Sequence, residues 1–126
     1  MTTRSLLDSS ALLAFLWGEP GTDEVSARLA AGNTCCTVAN WAEVVAKVVS
    51  RGKDWSMAEA ALLGLGLEVV PEEAVDAVAA GHLWAEHPAL SLGDRLCLAV
   101  GLRLHASIVT ADRAWAEVSQ DVVVIR

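Results

Sequence analysis

The 126-residue sequence has no tyrosine, one phenylalanine, three prolines and three cysteines. It also has few bases, nine Lys and Arg against sixteen acids, for a net charge of −7. Each shortage removes a class of protein. With nine glycines and so little proline, the chain is neither collagen-like nor a linker. No window approaches about 18 consecutive apolar residues, so no transmembrane helix is expected. Arg4 followed by the apolar stretch from Leu6 to Trp17 has a faint look of a secretory signal. Asp8, Ser9 and Ser10 interrupt it, and no small-residue cleavage site follows. A cytoplasmic protein is therefore expected. Cys35 and Cys36 are adjacent and Cys97 stands alone. That odd count and spacing suits neither a disulfide framework nor a zinc site, and the expected role is as small buried hydrophobes. The scarcity of bases argues against a broad basic surface that grips nucleic acid.

Apolar residues make up 54% of the chain and charged residues 20%, which excludes intrinsic disorder. The length suits one domain, taken as residues 1–126, without repeats or low-complexity linkers. Strand-like runs are read at Ser5 to Leu7, Thr34 to Val38, Leu67 to Val70, Ser107 to Thr110 and Val122 to Ile125. Helices are read between them. The first is capped by Ser9 or Ser10 and runs to Trp17; the second runs from Thr22 to Gly32. The third is capped by Asn40 and reaches about Ser50, with Glu43 placed as in a capping box. A further box, Ser56 with Glu59, starts a helix to about Leu65. Glu72 to Glu86 is helical, with Val75, Val78, Ala79 and His82 at helical spacing. Ser91 caps a helix through Leu104 and puts Asp94 at its third position; a short helix follows Asp112. Alternating helices and short apolar strands predict a three-layer α/β/α sandwich. Its central sheet is mostly parallel, with about five strands.

The acids fall in a pattern on this frame. Asp8 and Asp112 directly follow strands, and Glu43 and Asp94 sit in first turns of helices. In a parallel sheet all four belong to the carboxyl edge, where such folds bind ligands. Each alone has a capping or helix-dipole explanation. Together, unpaired carboxylates repel and raise each other's pKa, and a divalent cation relieves that conflict. His82, His87 and His105 carry no nucleophile signature.

The residues at these positions resemble a known family. Leu6-Leu-Asp8-Ser-Ser-Ala-Leu, Asn40-Trp-Ala-Glu43-Val, Ser91-Leu-Gly-Asp94-Arg-Leu-Cys-Leu-Ala and Val109-Thr-Ala-Asp112-Arg-Ala-Trp are similar to segments of PIN-domain ribonucleases. The specific likeness is to VapC-type toxins of bacterial toxin–antitoxin pairs. It spans nearly the whole chain. It implies that Asp8, Glu43, Asp94 and Asp112 form an acidic catalytic pocket holding Mg²⁺ or Mn²⁺, with Ser9 and Thr110 in support. It implies cleavage of RNA, a homodimer and a VapB-type antitoxin that lays an apolar segment in a groove. Arg95 and Arg113, each next to a site acid, are candidate phosphate contacts at the rim, with an ion pair or a solvated arginine as the plainer role. Trp17, Trp41, Trp55, Trp84 and Trp115 serve as core, as stacking platforms or as interface anchors. The alternatives are a catalytically silent module that binds an antitoxin, and a DNA nuclease. The pocket chemistry itself contains no reader of the 2′-hydroxyl.

Overall fold

The computed structural model describes residues 3–126; Met1 and Thr2, included in the expected domain 1–126, lie outside the described residues. Five strands form one sheet: β1 (Ser5–Leu7), β2 (Thr34–Thr37), β3 (Glu68–Val70), β4 (Ser107–Thr110) and β5 (Val122–Val124). Their order is β3-β2-β1-β4-β5, and every pairing is parallel. Register sets Leu6 beside Cys35 and Ile108. Leu7 pairs with Val109.

Alternation along these short strands builds two cores, because successive side chains leave on opposite faces. Leu7, Cys36 and Val109 join one cluster with Leu12, Val44, Val48 and Leu62. Leu6, Cys35 and Ile108 join the other with Cys97, Leu98, Val100 and Trp115. The first face is covered by helices α1 (Ser9–Trp17), α2 (Thr22–Ala31), α3 (Val38–Ser50) and α4 (Trp55–Gly64). The second is covered by α6 (Leu92–Arg103), against which α5 (Ala74–Glu86) packs. This is the expected α/β/α sandwich with a wholly parallel sheet. All three cysteines are buried and free. Among the described residues no helix is long and apolar enough to cross a membrane.

Helix starts differ from the sequence reading in three places. Asp8, not Ser9 or Ser10, caps α1 by accepting from the Ala11 amide at 2.8 Å. Thr37 caps α3 by accepting from the Asn40 amide, so Asn40 lies inside the helix. Asp54 caps α4 in place of Ser56. In each case the carboxylate or hydroxyl nearest the strand or loop end reaches the orphan amides first. The turn after β4 is a 3-10 helix, Arg113–Glu117, capped by Asp112. The face of α5 also differs. Val75 and Val78 are 59% and 62% exposed, and the helix turns Asp76 and Ala80 inward. Arg103 grips Asp76 there with two hydrogen bonds of 2.8 and 2.9 Å, which lets a carboxylate replace an apolar side chain in the interior.

The chain leaves β1 for β2 and β3 on one side, then returns to β4 on the other. The crevice beyond the carboxyl ends of β1 and β4 is thus the switch point of the sheet, where open α/β folds take their ligands.

Candidate active site

Asp8 is the residue that follows β1, and Thr110 is the last of β4, so adjacent strands deliver both to the switch point. The Thr110 hydroxyl donates to Asp8 Oδ2 at 2.6 Å. The Ser10 hydroxyl donates to Asp8 Oδ1 at 2.7 Å and accepts from the Ala111 amide at 2.9 Å. Asp8 is 3% exposed. Burial pushes its carboxyl up to about 6. The hydrogen bonds from Thr110, Ala11 and Ser10 pull it down, and the charge of Asp94 pushes it further up. Desolvation outweighs three hydrogen bonds, so this aspartate carries its charge reluctantly.

Asp94 stands in the first turn of α6, in a reciprocal box with Ser91: its amide donates to the Ser91 hydroxyl and its Oδ2 accepts from the Ser91 amide. Glu43 lies on α3 with both carboxylate oxygens against the same turn. A Cβ added to Gly93 would come within 3.0 Å of each oxygen. The absence of a side chain at Gly93 is what lets Glu43 sit against the first turn of α6, which carries Asp94. Asn40, one helical turn before Glu43, donates its side-chain Nδ2 to Glu43 Oε1. Asp112 joins through Thr110, whose hydroxyl accepts from the Asp112 amide at 3.0 Å. The Asp112 carboxylate is exposed and caps the Ala114 amide. The structure thus links Asp8 and Asp112 through Thr110, sets Glu43 against Gly93, the residue before Asp94, and brings Asp94 near enough for its charge to act on Asp8.

One expected support role, that of Ser9, and one expected phosphate contact, that of Arg95, change. The hydroxyl that holds Asp8 belongs to Ser10; none of these bonds involves Ser9. As the second residue after the cap, Ser10 is carried back towards Asp8 by the first helical turn, which the doubled serine hides in the sequence. Arg95 faces α5: its guanidinium donates to the carbonyls of Ala80 and Leu90 and so serves as a strut instead of a rim cation. Arg113 is exposed beside Asp112, and its Nε donates to the Arg126 carbonyl. Asn40, read as a cap, is the other residue whose role the sequence conceals. It is fully buried, and its Oδ1 has no partner. An orphaned buried acceptor costs about 1–3 kcal/mol.

Among the described residues no ion pair joins a base to any of the four acids. Their field is uncompensated, and their donors are all hard oxygens, the set that suits Mg²⁺ or Mn²⁺. No three of the described acids, histidines or cysteines stand close enough to hold an ion unaided. Such a cation retains waters and needs only one or two carboxylates directly, so the donor set fits it.

A second concavity, about 630 Å³, lies between α1, α3 and α4. Leu16, Val48, Met57 and Ala58 give it an apolar floor, and Arg51 stacks on the Trp17 ring at 3.6 Å. Beside it, Trp41 and Trp55 meet edge to face with ring centres 5.0 Å apart. Trp115 fills the opposite core, and Trp84 is exposed.

Comparison with known proteins supplies the context. The family model for the PIN domain matches residues 5–120. No curated protein sequence matches the chain. Among solved structures, a toxin–antitoxin complex from Klebsiella pneumoniae is similar with a TM-score of 0.76 and 19% identity, over 97% of this chain and 98% of that one. The VapBC2 complex of Rickettsia felis, bound to a DNA fragment from its promoter, gives 0.71 and 16% identity over 95% and 96% of the two chains. A Pyrobaculum aerophilum protein gives 0.69 and 17% over 99% and 92%.

Proposed function

The chain belongs to the PIN-domain family, and from that premise we propose that it is a metal-dependent endoribonuclease acting as the toxin of a toxin–antitoxin pair. Nuclease activity is general in the family. The observation that carries the reading here is the set of four acids without a basic partner at the switch point, with Asp8 buried and held by the first turn of α1 and the end of β4.

Asp8 and Asp94 are the proposed direct ligands of Mg²⁺ or Mn²⁺, and Glu43 and Asp112 bind directly or through water. When bound, the cation supplies an activated water and offsets charge on the scissile phosphate. The protein's own residues supply alignment. Thr110 and Ser10 fix the two oxygens of Asp8. Gly93 gives Glu43 room against the first turn of α6. Thr110 ties Asp112 to the same point. Arg113 at the rim contacts substrate phosphate, a role for which its exposure and its place beside Asp112 speak. With a net charge of −7, the chain needs such local positive charge to hold a polyanion.

The preference for RNA, the homodimer and the inhibition of translation rest on the family resemblance, and the cytoplasmic location on the sequence reading. The proposed partner is a VapB-type antitoxin whose apolar segment lies in the groove of α1, α3 and α4. The exposed Val75 and Val78 of α5 offer apolar surface for a second copy.

The test is incubation of the antitoxin-free protein with total RNA and Mg²⁺ or Mn²⁺, beside EDTA and an Asp94→Asn variant. Discrete fragments that vanish in both controls are expected, and a single-stranded DNA arm separates RNA from DNA cleavage. Intact RNA in every lane, with antitoxin binding retained, replaces the proposal with a non-catalytic binding module.

A further inference from the structure

Resting on the nuclease reading, we propose that Asn40 is a positioning residue that fixes the Glu43 carboxylate over the first turn of α6 through its side-chain amide.

Three observations lead there. First, Asn40 is not needed to start its helix, because the Thr37 hydroxyl already caps α3 and takes the Asn40 backbone amide at 3.0 Å. Second, the side chain is fully buried with only one of its two polar atoms engaged: Nδ2 donates to Glu43 Oε1, and Oδ1 has no partner. An apolar side chain of that volume would leave no orphan, so stability alone does not favour an amide here. Third, the half-buried carboxylate that Nδ2 engages is also packed on a second element. Its two oxygens lie against Gly93, which directly precedes Asp94. Asn40 on one side and Gly93 on the other hold Glu43 against the helical turn that carries Asp94. An ionised Glu43 accepts hydrogen bonds only, which orients the amide with its nitrogen towards the acid. Partners of this kind, bound to a ligating side chain and not to the ion, typically change affinity or activity by 10–100-fold when lost.

The experiment compares wild type, Asn40→Leu, Asn40→Ala, Glu43→Gln and the double variant Asn40→Leu/Glu43→Gln. Each is measured for melting temperature, for Mn²⁺ affinity by titration, and for kcat and KM on a labelled RNA that carries a cut site mapped with the wild type. Asn40→Leu is expected to melt at or above the wild-type temperature, while Mn²⁺ affinity and kcat each fall roughly 10-fold or more. KM for RNA should change little. The double variant should be no worse than Glu43→Gln, because Asn40 acts through Glu43. Asn40→Ala should show the same losses of affinity and kcat, so one poorly folding variant does not decide the matter. Wild-type affinity and kcat in a folded Asn40→Leu overturn the inference while the nuclease reading stands. So does a loss that merely follows melting temperature across both variants. A wild type that neither binds Mn²⁺ nor cleaves RNA overturns the nuclease reading and this inference with it.

Discussion

Two aspartates are almost fully buried, Asp8 at 3% and Asp76 at 1% exposure, and their surroundings are opposite. Asp76 on α5 is gripped by the Arg103 guanidinium through both oxygens and closes a reciprocal box with Glu73. Those bonds hold its carboxyl below the usual range. Asp8 receives only neutral donors, and burial raises it to about 6. The first charge is neutralised where it lies. The second is left open beside another acid. A buried carboxylate with its own arginine holds the molecule together, whereas one without a counter-charge leaves that place to something else.

The largest expected effect comes from removing each charge in turn. Asp8→Asn should abolish metal-dependent cleavage, by about 1000-fold or more, since several kcal/mol of charge stabilisation go with the ligand. Its melting temperature should hold or rise, because the reluctant buried charge is gone. Asp76→Asn should do the reverse. It should cost about 1.5–3 kcal/mol of stability by removing the charged hydrogen bonds of Arg103, which keeps only Glu73 as an acidic partner, with cleavage intact well below the melting point. Thermal melts and RNA cleavage of the same two proteins check the contrast. Loss of cleavage in both variants would break it.

A pH series sharpens the comparison. Asp8 titrates near 6 in the folded chain, against an ordinary 3.8. Between these values the folded state binds more protons than the unfolded one, so stability in EDTA should fall as pH rises through this window. The shift corresponds to about 3 kcal/mol, complete above pH 6. Asp76 contributes with the opposite sign: its stabilisation is present above the ordinary carboxylate range and is lost as pH falls below it. Added Mn²⁺ should offset the Asp8 penalty at neutral pH, and Asp8→Asn should remove both the pH slope and that response.

The smallest effect separates two glycines of α6. A Cβ at Gly93 would meet the Glu43 carboxylate at 3.0 Å, whereas one at Gly101 would meet Ile108 at 2.4 Å in the core. Gly93→Ala should lower cleavage roughly 10-fold by displacing Glu43, with stability within about 1 kcal/mol of wild type. Gly101→Ala should cost about 1–3 kcal/mol by overpacking and leave cleavage unchanged at permissive temperature.

Much of this was legible in the sequence because the strands are short runs rich in apolar and β-branched residues, and Asp8 and Asp112 follow two of them within two residues. Ser107–Thr110 and the start of α6 after Ser91 coincide with the sequence reading. What stayed hidden depends on partners far along the chain. Thr37 and Asn40 are both good capping types, and only the end of β2 decides between them. Helical spacing on α5 marks a stripe of Val75 and Val78 but not its neighbour, and the buried face turned out to be the one with Asp76, thanks to Arg103. Arg95 looked free until the fold brought it to the carbonyl of Ala80.

The strand order also governs when the acidic crevice exists during synthesis. Asp8 is made 102 residues before Thr110, which holds its Oδ2, and before β4, which walls its crevice. A growing chain therefore carries three of the four acids without the strand that assembles them. The ribosome making this protein meets an assembled acidic site only once β4 has been made.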